Sequence, residues 1–374
     1  MDKTEGTYLG QSKGKEHGPM PIKWKEKVSV LGIEIGYNIE QNWDKQIKKV
    51  EQKLNNWEKR NLSISGKVLL IKIYALATIT FLASAFKPLN NVVLKLHKLN
   101  FNFLWSGKNE LISRKTCHLP KEAGGLGIPT LHINCKTLLI KWINRITNPM
   151  IWSQDIYIAH YWTGQQLGSI QHAWAWLRNN RTPHGHHDAI PQCYREIITF
   201  AQRHRQWIEE ENIQQISTKQ IKQQLEEQHT PRVVEEWKRY IAYNPFPEVW
   251  LSIWRNNLSN NKEIEVKWLL THRLLKTKMY LRSWGMKIDR KCPFCSDVED
   301  LAHAVYICKR AITMWQDLQP ILSALANQKI NINFDSIVFN RDLPEDETAR
   351  KLCMYILTLG TTILWKTKIG RAHV

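Results

Sequence analysis

Acidic residues are scarce in this chain. Asp and Glu number 34 against 53 Lys and Arg in 374 residues, leaving a formal net charge of +19 and a pI near 9.6. No Asp-Asp pair occurs, so the adjacent carboxylates with which two-metal polymerases hold Mg2+ are missing. No Ser/His/Asp or Cys/His nucleophile constellation stands out. The seven cysteines (Cys117, Cys135, Cys193, Cys292, Cys295, Cys308 and Cys353) are odd in number and four are scattered, so no disulfide framework is indicated. Gly124-Gly125-Leu126-Gly127, beside Pro120, reads as a rigid basic loop but lacks the Gly-Lys-Ser/Thr ending of a nucleotide-binding P-loop. Residues 1–5 are polar and unlike a signal peptide, so the expected location is intracellular, cytoplasmic or nuclear. No internal repeat is evident.

What is present is a large apolar fraction, 43%, in a chain long enough for two or three domains. Tryptophan is abundant at 17, mostly inside periodic apolar patterns that suit core anchors between helices. The positive charge is clustered. Residues 61–145 hold 12 Lys and Arg against 2 Asp and Glu, and residues 266–291 hold 8 against 1. Such clustering points to a polyanionic partner, nucleic acid before membrane; solvated helix faces are the alternative. Residues 68–86 form an apolar run broken only by Lys72. Its length would span a membrane, but Thr78, Thr80 and Ser84 dilute it, and a buried helix is expected.

Along the chain, residues 28–35 partly alternate and are β-branched, as expected of one strand at the edge of a sheet. Trp43, Ile47, Val50, Leu54 and Trp57 recur at 4-3-4-3 spacing on one face of a helix, with Lys45, Lys48, Lys49 and Lys53 away from it. That basic face suits a nucleic-acid groove or plain solvent. Ser63-Ile64-Ser65-Gly66 reads as a turn opening a long helix at Lys67. Pro88 starts another, with Leu89, Val92, Leu96, Leu99 and Phe103 inward. Residues 134–146 are again helical. Residues 164–192 are rich in Gly and Pro and read as a linker. There His184, His186, His187 and Asp188 could bind a metal, although a solvated loop suits them better. Polar helices follow, and then a Trp-rich helical segment through Trp250, Trp254 and Trp268.

One motif carries coordination chemistry. Cys292-Pro293-Phe294-Cys295, His303 and Cys308 have the spacing C-x2-C-x7-H-x4-C. Zn2+ takes four tetrahedral sulfur or nitrogen donors, and a C-x2-C turn sets two thiolates on one side of the ion. Four protein ligands close the shell, so the zinc is expected to be structural, with a buried Cys cluster and packed His as the alternative. Arg282, Lys287, Arg290 and Lys291 precede the motif, and knuckles beside basic and aromatic residues contact single-stranded RNA by stacking and phosphate contacts.

Taken in order, Lys3-Thr4-Glu5-Gly6, Leu31 to Gly36 (LGIEIG), Leu62 to Lys67 (LSISGK), Phe103-Leu104-Trp105, Pro120 to Gly127 (PKEAGGLG) and the Cys/His motif resemble the C-terminal half of non-LTR retrotransposon reverse transcriptases. The resemblance implies a mostly α protein with a helical thumb-like domain, a short residual β edge, a helical linker region and a small CCHC zinc-binding module. It implies a palm remnant over residues 1–40, a thumb over 41–150, a linker over 151–245 and a zinc-binding domain over 246–368. Residues 369–374 read like a translated sequencing adapter. By the same resemblance Lys3 matches a palm lysine that assists catalysis in relatives, and the chain begins just after the catalytic Asp-Asp strand. Polymerase activity is therefore not expected of this fragment, and Mg2+ would serve only the intact parent enzyme. Expected partners are RNA, RNA–DNA hybrid and the missing fingers and palm, with contacts from Lys45, Lys48, Lys49, Lys53, Lys67, Lys121, Arg282, Lys287, Arg290 and Lys291. Two further readings stay open: a host-recruited scaffold or RNA-binding protein with a purely structural zinc, and a nonfunctional transcript product.

Overall fold

The apolar run near the N-terminus does not form one strand. Lys27–Val30 and Ile33–Gly36 pair antiparallel, Val30 opposite Ile33 and Lys27 opposite Gly36. Leu31 and Gly32 form the turn with φ of 51° and 79°. Two successive positive φ values make the tight hairpin turn whose twist matches the flanking strands. The expected single strand is thus corrected to a hairpin, because a leucine accepts the left-handed position that glycine or asparagine usually marks. In this computed structural model the described residues are 4–8, 18, 20–36, 40–86, 88–147, 153–167, 194–195, 197–199, 217–225 and 229–372. Lys3, Cys193 and the His184, His186, His187 and Asp188 group lie outside them. The described elements are mostly helical, as expected.

The chain divides into two units: Met1–Lys59, Leu70–Ser106 and Pro129–Gln228 form one, and Arg60–Leu69, Gly107–Ile128 and His229–Val374 the other. These limits do not follow the expected cuts at 150 and 245.

In the first unit the Glu40–Glu58 helix buries Trp43, Ile47, Val50 and Leu54 of the stripe read from the sequence, and leaves Trp57 half-buried. It packs on the Asn90–Trp105 helix, which buries Val92, Leu96 and Phe103, while Leu89 is exposed and Leu99 half-buried. Asn42 ties the hairpin to this helix. Its Nδ2 donates to the Glu34 carbonyl at 2.7 Å, and its Oδ1 accepts from the Glu34 N–H at 2.9 Å. The side-chain amide so satisfies a peptide group that an edge strand would leave open. A second cluster gathers Ile140, Ile146, Ile156, Ala159, Ile197, Ile198 and Ile221.

The long apolar helix runs Ile64–Ser84, with a π-helical stretch at Ile71–Leu76, and it is long and apolar enough to cross a membrane by length and composition. One face, with Val68, Ile71, Ala75, Ile79 and Leu82, is buried; Leu69, Ile73 and Phe81 are exposed. The expected buried helix is therefore buried on one side only.

The second unit is built around a glycine loop. Gly124 and Gly127 take φ of 84° and 63°. The Gly125 and Gly127 N–H groups donate to the carbonyls of Pro120 at 3.0 Å and Leu119 at 2.8 Å. A Cβ on Gly124 would meet the Trp250 ring at 2.7 Å, and one on Gly125 the Leu119 carbonyl oxygen at 2.0 Å. The Gly124 carbonyl accepts from His272 Nε2 at 2.8 Å and from Trp268 Nε1 at 3.3 Å. His272 stacks on Trp250 with ring centroids 4.6 Å apart, and burial pushes its pKa down to about 4, so the ring is neutral at pH 7. The loop read as rigid and basic is thus a buried cradle closed by two tryptophans and a histidine.

The same unit takes in the Ser63 turn. Ser63 Oγ accepts from the Gly66 N–H at 3.2 Å, and the Ile64 N–H donates to Glu265 at 2.9 Å, so a helix start unsatisfied by its own turn finds two side-chain acceptors. The Glu347–Ala372 helix packs on Lys309–Ala326 and Asn261–Thr271. On it Thr358, Thr361 and Thr362 each donate to the carbonyl four residues back, which lets hydroxyls sit in a dry interface. Gly360 leaves room for Trp315, whose ring would lie 2.7 Å from an added Cβ. This helix continues through residues 369–372, the start of the segment that reads as adapter.

Gly124→Ala combines a left-handed backbone with a side chain driven into Trp250. It is expected to lower unfolding stability by about 2–4 kcal/mol. Urea denaturation followed by tryptophan fluorescence measures this; a midpoint equal to that of the parent chain would contradict the packing described.

Candidate metal centre

Three short segments meet at the metal centre. The first is a miniature hairpin. Lys291 and Val298 form an antiparallel bridge, the Cys292 N–H donates to the Asp297 carbonyl at 2.7 Å, and the Glu299 N–H donates to the Arg290 carbonyl at 2.8 Å. Ser296, at φ 63°, turns the chain between them. Cys292 and Cys295 project from this turn. His303 opens the second segment, the π-helical stretch His303–Ile307, and its N–H donates to Asp300 Oδ1 at 2.7 Å. Cys308 is the N-cap of the third, the Lys309–Ala326 helix. A thiolate there sits against the positive end of the helix dipole. Trp315 Nε1 donates to the Val305 carbonyl at 2.7 Å and fixes the second segment to the third.

The four ligand atoms lie within 4.8 Å of one another. Cys292 Sγ and Cys295 Sγ are each 3.9 Å from Cys308 Sγ, and Cys295 Sγ is 3.2 Å from His303 Nε2. Four donors around Zn2+ with bonds of about 2.3 Å to sulfur put neighbouring sulfurs about 3.8 Å apart. The Cys3His set therefore fits zinc, and all three thiols are free rather than disulfide-bonded. Cys292, His303 and Cys308 are buried and Cys295 is half-buried, so the cage has no broad mouth for substrate.

Without a metal, burial favours neutral ligand groups. Burial pushes the Cys295 thiol up to about 11. A dication reverses that penalty by converting thiols to bound thiolates. Burial, then the Lys368 ammonium, lowers the His303 pKa, the direction that favours the neutral imidazole a metal ligand needs. Around the cage, Lys368 Nζ stands 3.8 Å from Glu299, with side-chain exposures of 8% and 6%. This buried ion pair connects the C-terminal helix to the zinc loop.

A family model described as zinc-binding in reverse transcriptase matches residues 233–315, a stretch holding all four ligands. This region is similar to a reverse-transcriptase-associated zinc-binding domain. No curated protein matches the chain. Trp237, Trp250, Trp268, His272 and Trp315 all fall inside the matched stretch, so it also covers the wall of the glycine cradle.

The cations expected to touch nucleic acid have separate fates. Lys45, Lys48, Lys49 and Lys53 are exposed on the Glu40–Glu58 helix. Lys45 lies 3.8 Å from Glu34, and Lys53 donates to Thr78 Oγ1 at 3.3 Å. Arg282, Lys287, Arg290 and Lys291 are exposed beside the metal cage. Two of the expected cations are less open than the rest. Lys67 is buried in the Ile64–Leu70 helix. Lys121 lays its ammonium 4.2 Å from the Trp254 ring centroid, and partial burial lowers its pKa, so it acts as a packing cation. Sequence reasoning passed over Lys278, whose Nζ donates to the Lys291 carbonyl at 2.6 Å, and the Glu299–Lys368 pair. Nothing in local spacing marks contacts that span such separations.

Cys292→Ser and Cys308→Ser are each expected to reduce bound zinc from about one per chain to none and to lower the thermal midpoint. Zinc uptake by the parent chain at pH 7 releases up to three protons, one per thiol, and affinity falls with falling pH as protons compete for sulfur. Metal analysis by mass spectrometry after gel filtration decides the point: one zinc retained by both variants would remove these residues from the site.

Proposed function

We propose that this chain is the end of the palm, the thumb and the zinc-binding domain of a non-LTR retrotransposon reverse transcriptase, and that it binds RNA or RNA–DNA hybrid through backbone phosphates. The observation carrying this reading is the reverse-transcriptase zinc-binding match over a Cys3His cage, with the ordered family motifs on either side. The zinc is structural. Its four ligands come from the protein, and its work is to hold the knuckle that presents Arg282, Lys287, Arg290 and Lys291. Lys45, Lys48, Lys49 and Lys53 add a second basic face on the other unit. Zinc chemistry ends at folding, and nucleotide transfer belongs to carboxylates and Mg2+ that the fragment does not carry. The reading leaves the membrane out: the buried face of the Ile64–Ser84 helix packs as core. It places the protein inside the cell, where cytoplasmic or nuclear RNA is available.

Phosphate contacts make affinity fall steeply with salt, by about 0.7 in the log-log slope per phosphate for a single strand. Replacing Arg282, Lys287, Arg290 and Lys291 together by Gln is expected to flatten that slope by up to about 3 and to weaken binding uniformly across sequences. Fluorescence anisotropy with labelled RNA between 50 and 200 mM salt, about the range over which such binding changes most, reads both effects. Parent-chain affinity that does not vary with salt would remove the nucleic-acid reading, and template-dependent primer extension would remove the assignment of polymerisation elsewhere.

A further inference from the structure

Four of the second unit's seven tryptophans are buried, and Trp254 and Trp365 are half-buried. Trp237 and Trp315 are 3% exposed, and Trp250 and Trp268 are 1%. Trp284 is 42% exposed, and Met286 beside it 50%. Trp284 ends the Lys278–Ser283 helix, and the Tyr280 ring lies 5.2 Å from it at an interplanar angle of 41°. The pair is fixed in place. Thr277 caps the helix by accepting from the Tyr280 N–H at 3.2 Å, and the Gly285 N–H closes the end on the Arg282 carbonyl at 2.9 Å. The helix is in turn sewn to the metal knuckle, with the Met279 N–H on the Glu299 carbonyl at 3.1 Å and Lys278 Nζ on the Lys291 carbonyl. Gly285 follows at φ 86°, and no residue other than its chain neighbours lies within 4 Å of where a Cβ would stand.

The surroundings are cationic. Arg282, Lys287, Arg290 and Lys291 are exposed, and none of the four forms an ion pair among the described residues. Asp289 is the single acid in this stretch. An exposed indole held rigid among unpaired cations matches a ligand that is both flat and polyanionic. An apolar protein partner would leave those cations without counter-charge. In a duplex the base faces are already stacked on one another, whereas an unpaired base offers its face to an aromatic ring.

We infer that Trp284, steadied by Tyr280, is a stacking platform for one unpaired base of a single-stranded nucleic acid, whose phosphates are neutralised by Arg282, Lys287, Arg290 and Lys291. This deepens the function proposed above and rests on it. The knuckle then has two separable parts: cations that hold any phosphate backbone, and an indole that selects unpaired strand over duplex.

The test uses the zinc-loaded full chain and a labelled RNA of about 12 nucleotides, a length near that held by single-strand sites, alone and annealed to its complement. Trp284→Ala is expected to weaken binding of the single strand by roughly 5- to 150-fold, the range for losing one stacked base. Duplex binding, zinc content and salt slope should stay as in the parent chain, and Trp284→Phe should recover most of the loss. Salt-dependent parent binding that Trp284→Ala leaves untouched, or weakens equally for single strand and duplex, would overturn the platform while the phosphate-binding reading stands. Parent binding with no salt dependence would instead remove that reading, and the platform with it.

Discussion

Ligand closure by Cys292, Cys295, His303 and Cys308 is the constraint on which the second unit's surface depends. The knuckle hairpin has one β-bridge, between Lys291 and Val298, and too few apolar side chains to hold itself. Binding a metal across three segments replaces the core that the segment lacks. Once the ligands meet, the remaining order follows outward. The Glu299 and Lys291 carbonyls take hydrogen bonds from Met279 and Lys278, which sets the Lys278–Ser283 helix against the knuckle. The Glu299 carboxylate meets Lys368, which secures the C-terminal helix. A buried pair of this kind is weak evidence for stability, but losing one partner leaves an uncompensated charge and costs roughly 3–5 kcal/mol. The ion pair therefore makes the knuckle and the C-terminal helix dependent on each other.

The charge distribution has its own logic. A chain with formal charge +19 repels itself when compact. The cost is tolerable where cations point into water, as Lys48 and Lys49 do, or where neighbours absorb them. Lys121 over Trp254 and Arg273 between Trp237 and Tyr240, 4.9 and 4.6 Å from the ring centroids, are absorbed cations. Lys267 is the extreme case: it is fully buried, donates to Asn340 Oδ1 at 2.8 Å, and burial pushes its pKa down to about 7. Among the described residues, then, some cations are absorbed by aromatic faces or buried polar groups, and others face solvent.

That division explains what could be read in advance. The zinc set was legible because metal coordination imposes residue types at short spacing. The Glu40–Glu58 stripe was legible because a helix repeats its buried face every turn. The hairpin turn was missed since Leu31 carries no mark of a positive φ. The role of Gly124 was missed since the residues that enclose it, Trp250, Trp268 and His272, lie more than a hundred positions away. Lys67 and Lys121 look like surface cations in any local window, and only packing shows that one is buried and the other covers an indole. The Gly-rich string was visible in the sequence, while the physical reason for Gly124, a backbone too close to Trp250 for a Cβ, needed three dimensions.

A closed Cys3His shell also narrows what the second unit can do. Hydrolytic zinc needs a position open to water, and four protein ligands occupy a tetrahedral ion completely. In the proposed reading the centre's contribution is geometric, and recognition falls to the residues that the cage positions. Beside the cage stand Arg282, Lys287, Arg290 and Lys291, exposed and in no ion pair among the described residues, and the exposed indole of Trp284. Burying Trp284 would have been the ordinary outcome for an apolar ring in a unit that hides Trp237, Trp250, Trp268 and Trp315. Keeping it exposed leaves about 25 cal/mol per Å2 of hydrophobic stabilisation unused over the uncovered part of the ring. That exposed ring sits on a helix hydrogen-bonded to the metal knuckle, which is the placement the stacking proposal rests on.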